Sequence, residues 1–225
     1  MTIEVKGVKK AFGNKTVLKD ISFKAVGGSC TGIIGANGCG KSTLFSILAG
    51  VQYGKGEFLA DGDDLMKMKK KRSEYIGYIP QGTPLIEELS SYDNLLLWYS
   101  ASQIKHQLSL PDSIINRFGV NDFLSVPVRK MSGGMKKRLS IVCSVAHDPK
   151  IIIMDEPTAA LDILCKQTIK HYINSCKAEG KAVILSTHDE QELELCDNIY
   201  ILKNGLLEAF EYNGNINEVA KRIGD

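Results

Sequence analysis

Near the start of the chain, apolar and polar positions alternate at the two-residue period of a half-buried strand. Thr2 to Val8 and Val17 to Val26 carry this alternation and are rich in β-branched residues. With Gly13-Asn14 as a turn between them, they predict a small antiparallel sheet. A strand ending at Ile33-Ile34 follows, then a glycine-rich turn and a helix from about Lys41 to Leu48. Gly56 to Ala60 reads as another strand, closed by Asp61-Gly62. Ile76 to Ile79 reads as a short buried strand that ends at Pro80-Gln81.

After Gln81 the pattern changes. Ser90-Ser91-Tyr92-Asp93 has a capping residue three positions before an acid, which predicts a helix start, and Leu95 to Trp98 continue it. Asp112 to Phe118 reads as a second helix. Ser132-Gly133-Gly134 opens a third, running through Arg138, Ile141 and Val145 to about Ala146. Residues 82–147 are therefore expected to form a mostly helical insertion. Beyond it, Ile151 to Met154 is a continuous apolar run of the kind buried on both faces, Asp162 to Ala178 a helix, and Ala182 to Leu185 a strand. Asn198 to Leu202 and Leu206 to Phe210 are strands around an Asn204-Gly205 turn. The reading is an α/β fold: a mainly parallel sheet flanked by helices, with an N-terminal antiparallel β subdomain and an inserted helical subdomain.

Composition narrows this picture. A chain of 225 residues can bury one full core. No apolar run approaches the roughly 20 residues needed to cross a bilayer, so work at a membrane requires another polypeptide. A net charge of +2 offers no footprint for a nucleic-acid partner. The dense basic run Lys67 to Arg72 reads as a solvated helix or turn face. Six cysteines show neither paired spacing nor a partnering His cluster, and no secretory signal opens the chain. They are expected to be reduced thiols in a cytosolic protein.

The chemistry begins at Gly35-Ala36-Asn37-Gly38-Cys39-Gly40-Lys41-Ser42-Thr43. A strand before and a helix after give the context that a phosphate-binding P-loop requires. Glycines let successive backbone N–H groups turn around an anion, and the helix N-terminus adds favourable partial charge. Lys41 supplies a cation for the β- and γ-phosphates, and Ser42 a hydroxyl for Mg²⁺. A second nucleotide signature is the apolar run that ends in Asp155-Glu156. Asp155 suits the metal shell, and Glu156 can point toward a water lined up on the γ-phosphate.

A third element is Met131-Ser132-Gly133-Gly134-Met135-Lys136-Lys137-Arg138. With the P-loop, Gln81, Asp155-Glu156, Ala160-Leu161-Asp162 and His188, it makes nearly the whole chain resemble an ABC-type ATPase. More narrowly, the chain resembles the nucleotide-binding subunit of an ABC transporter, a single domain over 1–225. That resemblance implies ATP as substrate, Mg²⁺ as cofactor, and roles at matching positions. Phe12 matches an adenine-stacking aromatic that is more often Tyr, and Val17, Asn37, Gly38, Cys39, Gly40 and Thr43 join the nucleotide contacts. Gln81 matches the glutamine that senses Mg²⁺ and the attacking water, and His188 the histidine that contacts the γ-phosphate and holds Glu156. Asp162 matches the loop aspartate that couples two sites. The catalytic set is then Glu156, His188, Gln81 and Lys41, with Ser42, Gln81 and Asp155 around the metal.

Ser132 and the N–H of Gly134 open a helix and so form an anion site, yet the insertion separates them from Lys41. The resemblance implies head-to-tail pairing with a second ABC subunit, identical or paralogous, so that Ser132 and Gly134 act on the partner's ATP. It also implies an integral membrane permease, received around Pro84 to Leu97, and a place at the inner face of the cell membrane. Two positions depart from the family pattern. Met135 stands where Gln is common, from which reduced optimisation of the trans site is expected, with activity retained. Cys39 lies beside a helix N-terminus, where a lowered pKa is expected. Export is expected over import because no regulatory extension follows Asp225. The alternative is a soluble ABC-type ATPase of non-transport function, such as cluster assembly.

Overall fold

The computed structural model describes residues 1–224. β1 (Thr2–Phe12) and β2 (Lys15–Val26) form the expected antiparallel hairpin, and β1 also pairs with β4 (Lys55–Ala60), which carries the short β5 (Asp63–Asp64). β3 (Cys30–Ile34) leads through the glycine-rich turn into α1 (Lys41–Ala49). β6 (Ile76–Ile79), β7 (Ile151–Asp155) and β8 (Ala182–Ser186) run parallel to β3, as does β9 (Asn198–Lys203). β10 (Leu206–Phe210) returns antiparallel to β9 through Asn204-Gly205. Both turn residues have positive φ, 51° and 77°, the backbone that a two-residue hairpin turn demands.

The ten strands make one sheet, in the order β5-β4-β1-β2-β10-β9-β3-β8-β7-β6. The expected antiparallel subdomain is thus no separate sheet. It joins the parallel strands through the pairing of Leu206 on β10 with Asp20 on β2. Every residue of β3, β7 and β8 is buried, because the sheet is covered on both faces. Alternation assigns the sides. Ile152, Met154, Val183 and Leu185 pack with the segment between β6 and β7. Ile151, Ile153, Ala182 and Ile184 pack with α1 and the N-terminal strands.

That segment holds α3 (Ser91–Leu96), α4 (Ala101–Ser109), α5 (Ile114–Arg117) and α6 (Gly133–Ser144). Ser90 and Asp93 form the capping box read from the sequence. α3 stops at Leu96 instead of continuing through Trp98, because Ser100 and Gln103 form a second capping box that starts α4 in a new direction. α4 buries only Ile104, so its apolar periodicity was too faint to predict it. The helix expected over Asp112–Phe118 shortens to α5, with Ser113 as its cap. α2 (Lys69–Tyr75) carries most of the basic run, with Lys67 paired to Asp64 at 3.0 Å and Lys71 to Asp63. α7 (Ile163–Ala178) begins at its cap Asp162, and the short α8 (Glu190–Leu193) and α9 (Ile216–Gly224) complete the chain.

Register decides where the chemistry lies. Ile79 pairs with Met154 and Asp155 with Ser186, so β6, β7 and β8 end level with one another. Gln81, Asp155-Glu156 and Thr187-His188 therefore leave the sheet along one edge, beside the turn after β3. This is the carboxyl edge at which open α/β sheets bind ligands.

Candidate nucleotide site

Two glycines make the turn after β3 possible. A Cβ on Gly35 would lie 2.4 Å from the Leu202 carbonyl oxygen, and one on Gly40, at φ 116°, 2.9 Å from Val17 Cγ1. Lys41 follows as the first residue of α1, and its side chain is 5% exposed. Its Nζ donates to the Gly35 carbonyl at 2.8 Å and lies 3.3 Å from His188 Nε2 and 3.8 Å from Glu156 Oε1. Glu156 Oε1 is also 3.5 Å from His188 Nε2, and Glu156 Oε2 accepts from Gln81 Nε2 at 2.9 Å. Three of the side chains expected to be catalytic thus converge on the fourth, the Glu156 carboxylate.

Glu156 has φ +45°, a left-handed backbone that costs a non-glycine residue free energy and persists only where its surroundings hold it. Ser186 is one such restraint. Its hydroxyl accepts from the Glu156 N–H at 3.0 Å and donates to Asp155 Oδ1 at 2.7 Å. The turn lifts the Glu156 side chain off the strand, while Asp155 stays buried below it, at 2% exposure. Neighbours also set the electrostatics. Burial, then the Lys41 charge, push the His188 pKa below its ordinary value against the pull of Glu156.

A cavity of about 250 Å³ lies against this group, lined by Asn37, Gly38, Gly40, Lys41, Ser42 and Thr43 on one side and by Gln81 and Glu156 on the other. Val17 lines an adjoining hollow with Asn37, Gly38 and Cys39. Phe12 lines neither. It sits at the end of β1, half exposed, with the Lys10 ammonium 4.8 Å from its ring centroid. A buried carboxylate at Asp155, a hydroxyl at Ser42 and an amide at Gln81 are hard oxygen donors of the type Mg²⁺ takes. No cluster of three or more His, Cys, Asp or Glu forms a cage among the described residues. This donor set fits an ion whose remaining shell is water and phosphate.

Ser132, Gly134 and Asp162 stand apart from the cavity at Lys41. Ser132 caps α6 by accepting from the Met135 N–H at 3.2 Å. A Cβ at Gly134 would come within 3.1 Å of Asp162 Oδ2, while Asp162 Oδ1 accepts from the Cys165 N–H at 2.9 Å. Met135 is half-buried against the core beneath α6. Cys39 departs from expectation: burial pushes its thiol up, outweighing the Lys41 charge that pulls it down.

Sequence reasoning did not assign several contributing residues. Lys137, 4% exposed, donates to the Pro80 carbonyl at 2.8 Å and so ties α6 to the turn that carries Gln81. Ser186, Thr187 and Glu192 surround the Asp155-Glu156 turn from β8 and α8. Their residue types are common and follow no motif, so only spatial neighbours reveal them.

Residues 18–159, more than half of the chain, match the model of the family described as ABC transporter. The chain belongs to the ABC transporter family. It is an ATP-binding, ATP-hydrolysing ABC subunit. It is 33% identical to the lantibiotic transport ATP-binding protein of Streptococcus pyogenes, over 96% of this chain and 93% of the relative. Identity to the linearmycin resistance ATP-binding protein of Bacillus subtilis is 31%, over 99% of this chain and 72% of the relative. A solved structure described as the ATP-binding subunit of an ABC transporter superposes with a TM-score of 0.83 at 28% identity, covering 100% of this ABC subunit and 94% of that chain. A dimeric ATP-binding cassette in a post-hydrolysis state, bound to ADP and phosphate, gives 0.81 at 25% identity, covering 93% and 99%.

Proposed function

We propose that this ABC subunit is the motor of an exporter, working at the inner face of the cell membrane beneath a separate permease. The observation that carries the catalytic part is the convergence of Gln81, Lys41 and His188 on the Glu156 carboxylate. Lys41 and the loop N–H groups would bind the phosphates. Glu156 would accept or orient the proton of the attacking water, a contribution of about 10²–10⁴-fold. His188 and Gln81 hold that carboxylate from two sides, and Phe12 and Val17 would take the adenine. Mg²⁺, held by Ser42, Asp155 and Gln81, would neutralise charge on the β- and γ-phosphates.

Two copies would pair head to tail, each placing Ser132 and Gly134 over the ATP of the other. The separation of Ser132 and Gly134 from the Lys41 cavity supports this arrangement, as does the dimeric relative. Residues 82–147 would form the helical subdomain that meets the permease. Exposed apolar side chains at Ile86, Leu96 and Leu97 support that role, because such residues together mark an interaction surface. Relatives named for lantibiotic transport, Nod factor export and linearmycin resistance favour export over a soluble role in cluster assembly.

The test is affinity purification of the tagged chain from its native membranes. A membrane permease should accompany the wild type and be lost from an Ile86→Asp/Leu97→Asp variant that still binds ATP. Retention of the same membrane protein by the folded variant would reject this docking face.

A further inference from the structure

Behind the Glu156 and His188 pair lies a second cavity, of about 230 Å³. Glu156, Thr158, Lys166, Thr187, His188 and Glu192 line it. Glu192, on α8, is the unexpected member: a carboxyl that is 1% exposed. Its Oε2 accepts from the Thr187 hydroxyl, and its Oε1 is buried with no hydrogen-bond partner. Burial raises its pKa, and the Thr187 hydroxyl draws it back. A buried carboxyl with one oxygen unsatisfied is a poor way to stabilise a fold. A side chain of that kind at the rear of a reaction site points to a task there.

We infer that Glu192 is a positioning residue for hydrolysis, whose carboxyl fixes, through Thr187, the arm that carries His188 beside Glu156. Thr187 is the direct link. Its hydroxyl donates to Glu192 and accepts from the Asp189 N–H at 2.9 Å, which uses its donor and an acceptor site and fixes the backbone on both sides of His188. Asp189 is itself held by Lys166 at 2.8 Å and caps α8 by accepting from the Gln191 N–H at 3.0 Å. Thr158, two residues past Glu156, lines the same cavity as Glu192. The contacts of the imidazole itself, 3.3 Å to Lys41 and 3.5 Å to Glu156, are long. Its direction is therefore set largely by the backbone that Thr187 anchors.

The inference rests on the catalytic reading of Glu156 and His188, so the experiment keeps the two separable. In the full chain, Glu192→Met, which removes the acceptor, and Thr187→Val should each lower kcat about 10–100-fold, the scale of a misplaced catalytic group. KM for ATP should stay within about twofold, because ground-state binding is untouched. The double variant should fall no further than the worse single, since both changes cut one contact. Thr187→Ser, which keeps the hydroxyl, should restore turnover. The His188 imidazole resonance, assigned with His188→Ala, should move in Glu192→Met and Thr187→Val and return in Thr187→Ser. Wild-type kcat with an unmoved resonance in folded Glu192→Met would overturn the inference, as would multiplicative losses in the double variant. If Glu192→Met fails to fold, the Thr187→Val and Thr187→Ser pair decides it alone. Undiminished turnover in Glu156→Gln would instead remove the catalytic reading, and the resonance would still report on the clamp.

Discussion

Gln81 Nε2 donates to Glu156 Oε2 at 2.9 Å, across 75 positions of sequence. The contact joins the turn after β6 to the end of β7. Because Lys137 on α6 also holds the Pro80 carbonyl, movement of α6 reaches Glu156 through a single turn. The start of α6 and the Glu156 carboxylate are therefore mechanically connected within one chain.

Glu156→Gln preserves the shape of the side chain and its contact with Gln81 but removes the carboxylate proposed as the base. ATP affinity should persist while hydrolysis falls by about 10²–10⁴-fold. A stable ATP-bound dimer should then elute ahead of the monomer in size-exclusion chromatography. Wild-type turnover in this variant would take Glu156 out of the catalytic role.

Ser186→Ala would strip a hydroxyl from both Asp155 and the strained Glu156 peptide. Loss of a buried partner of this kind costs about 1–3 kcal/mol. Urea denaturation should show that loss, with hydrolysis reduced more than ATP binding. An unchanged midpoint would mean that Ser186 does not restrain the turn.

Burial depresses the Lys137 pKa to about 8, from an ordinary value near 10.5. Below pH 8 both folded and unfolded chains carry the proton, and the penalty of the buried charge is constant. Between about pH 8 and 10.5 the unfolded chain binds more protons than the folded one, so this group adds stability as pH rises. The total is about 3 kcal/mol at most. Subtracting the Lys137→Met stability curve from that of the wild type should leave a positive slope across this window. Parallel curves would contradict the burial of an ionisable Lys137.

The raised Cys39 thiol implies slow maleimide labelling near neutral pH and faster labelling as pH increases. ATP should protect it, and the labelled protein should lose hydrolysis because bulk at Cys39 obstructs the phosphate cradle. Full activity of protein stoichiometrically modified at Cys39 would refute that placement.

Sequence alone marked the elements whose physics is local. The β1–β2 hairpin, the Asn204-Gly205 turn, the P-loop before α1, the Ser90 capping box and the buried β7 and β8 all follow from turn chemistry or apolar runs. It also marked Gln81, Asp155, Glu156 and His188, since each closes a strand within a recognisable motif. Elements with weak patterns escaped it. α4 buries a single isoleucine, α8 spans only four residues, and the end of α3 depends on a competing cap four positions on.

Tertiary structure decided the rest, because strand register and burial are properties of neighbours. Only the level ends of β6, β7 and β8 bring Gln81, Glu156 and His188 together, and only their packing exposes Ser186, Lys137 and Glu192 as supports. Desolvation reversed the expected direction of the Cys39 pKa for the same reason. The amino-acid order names the groups that do chemistry; the three-dimensional arrangement sets their distances, and with them their charge states and strain.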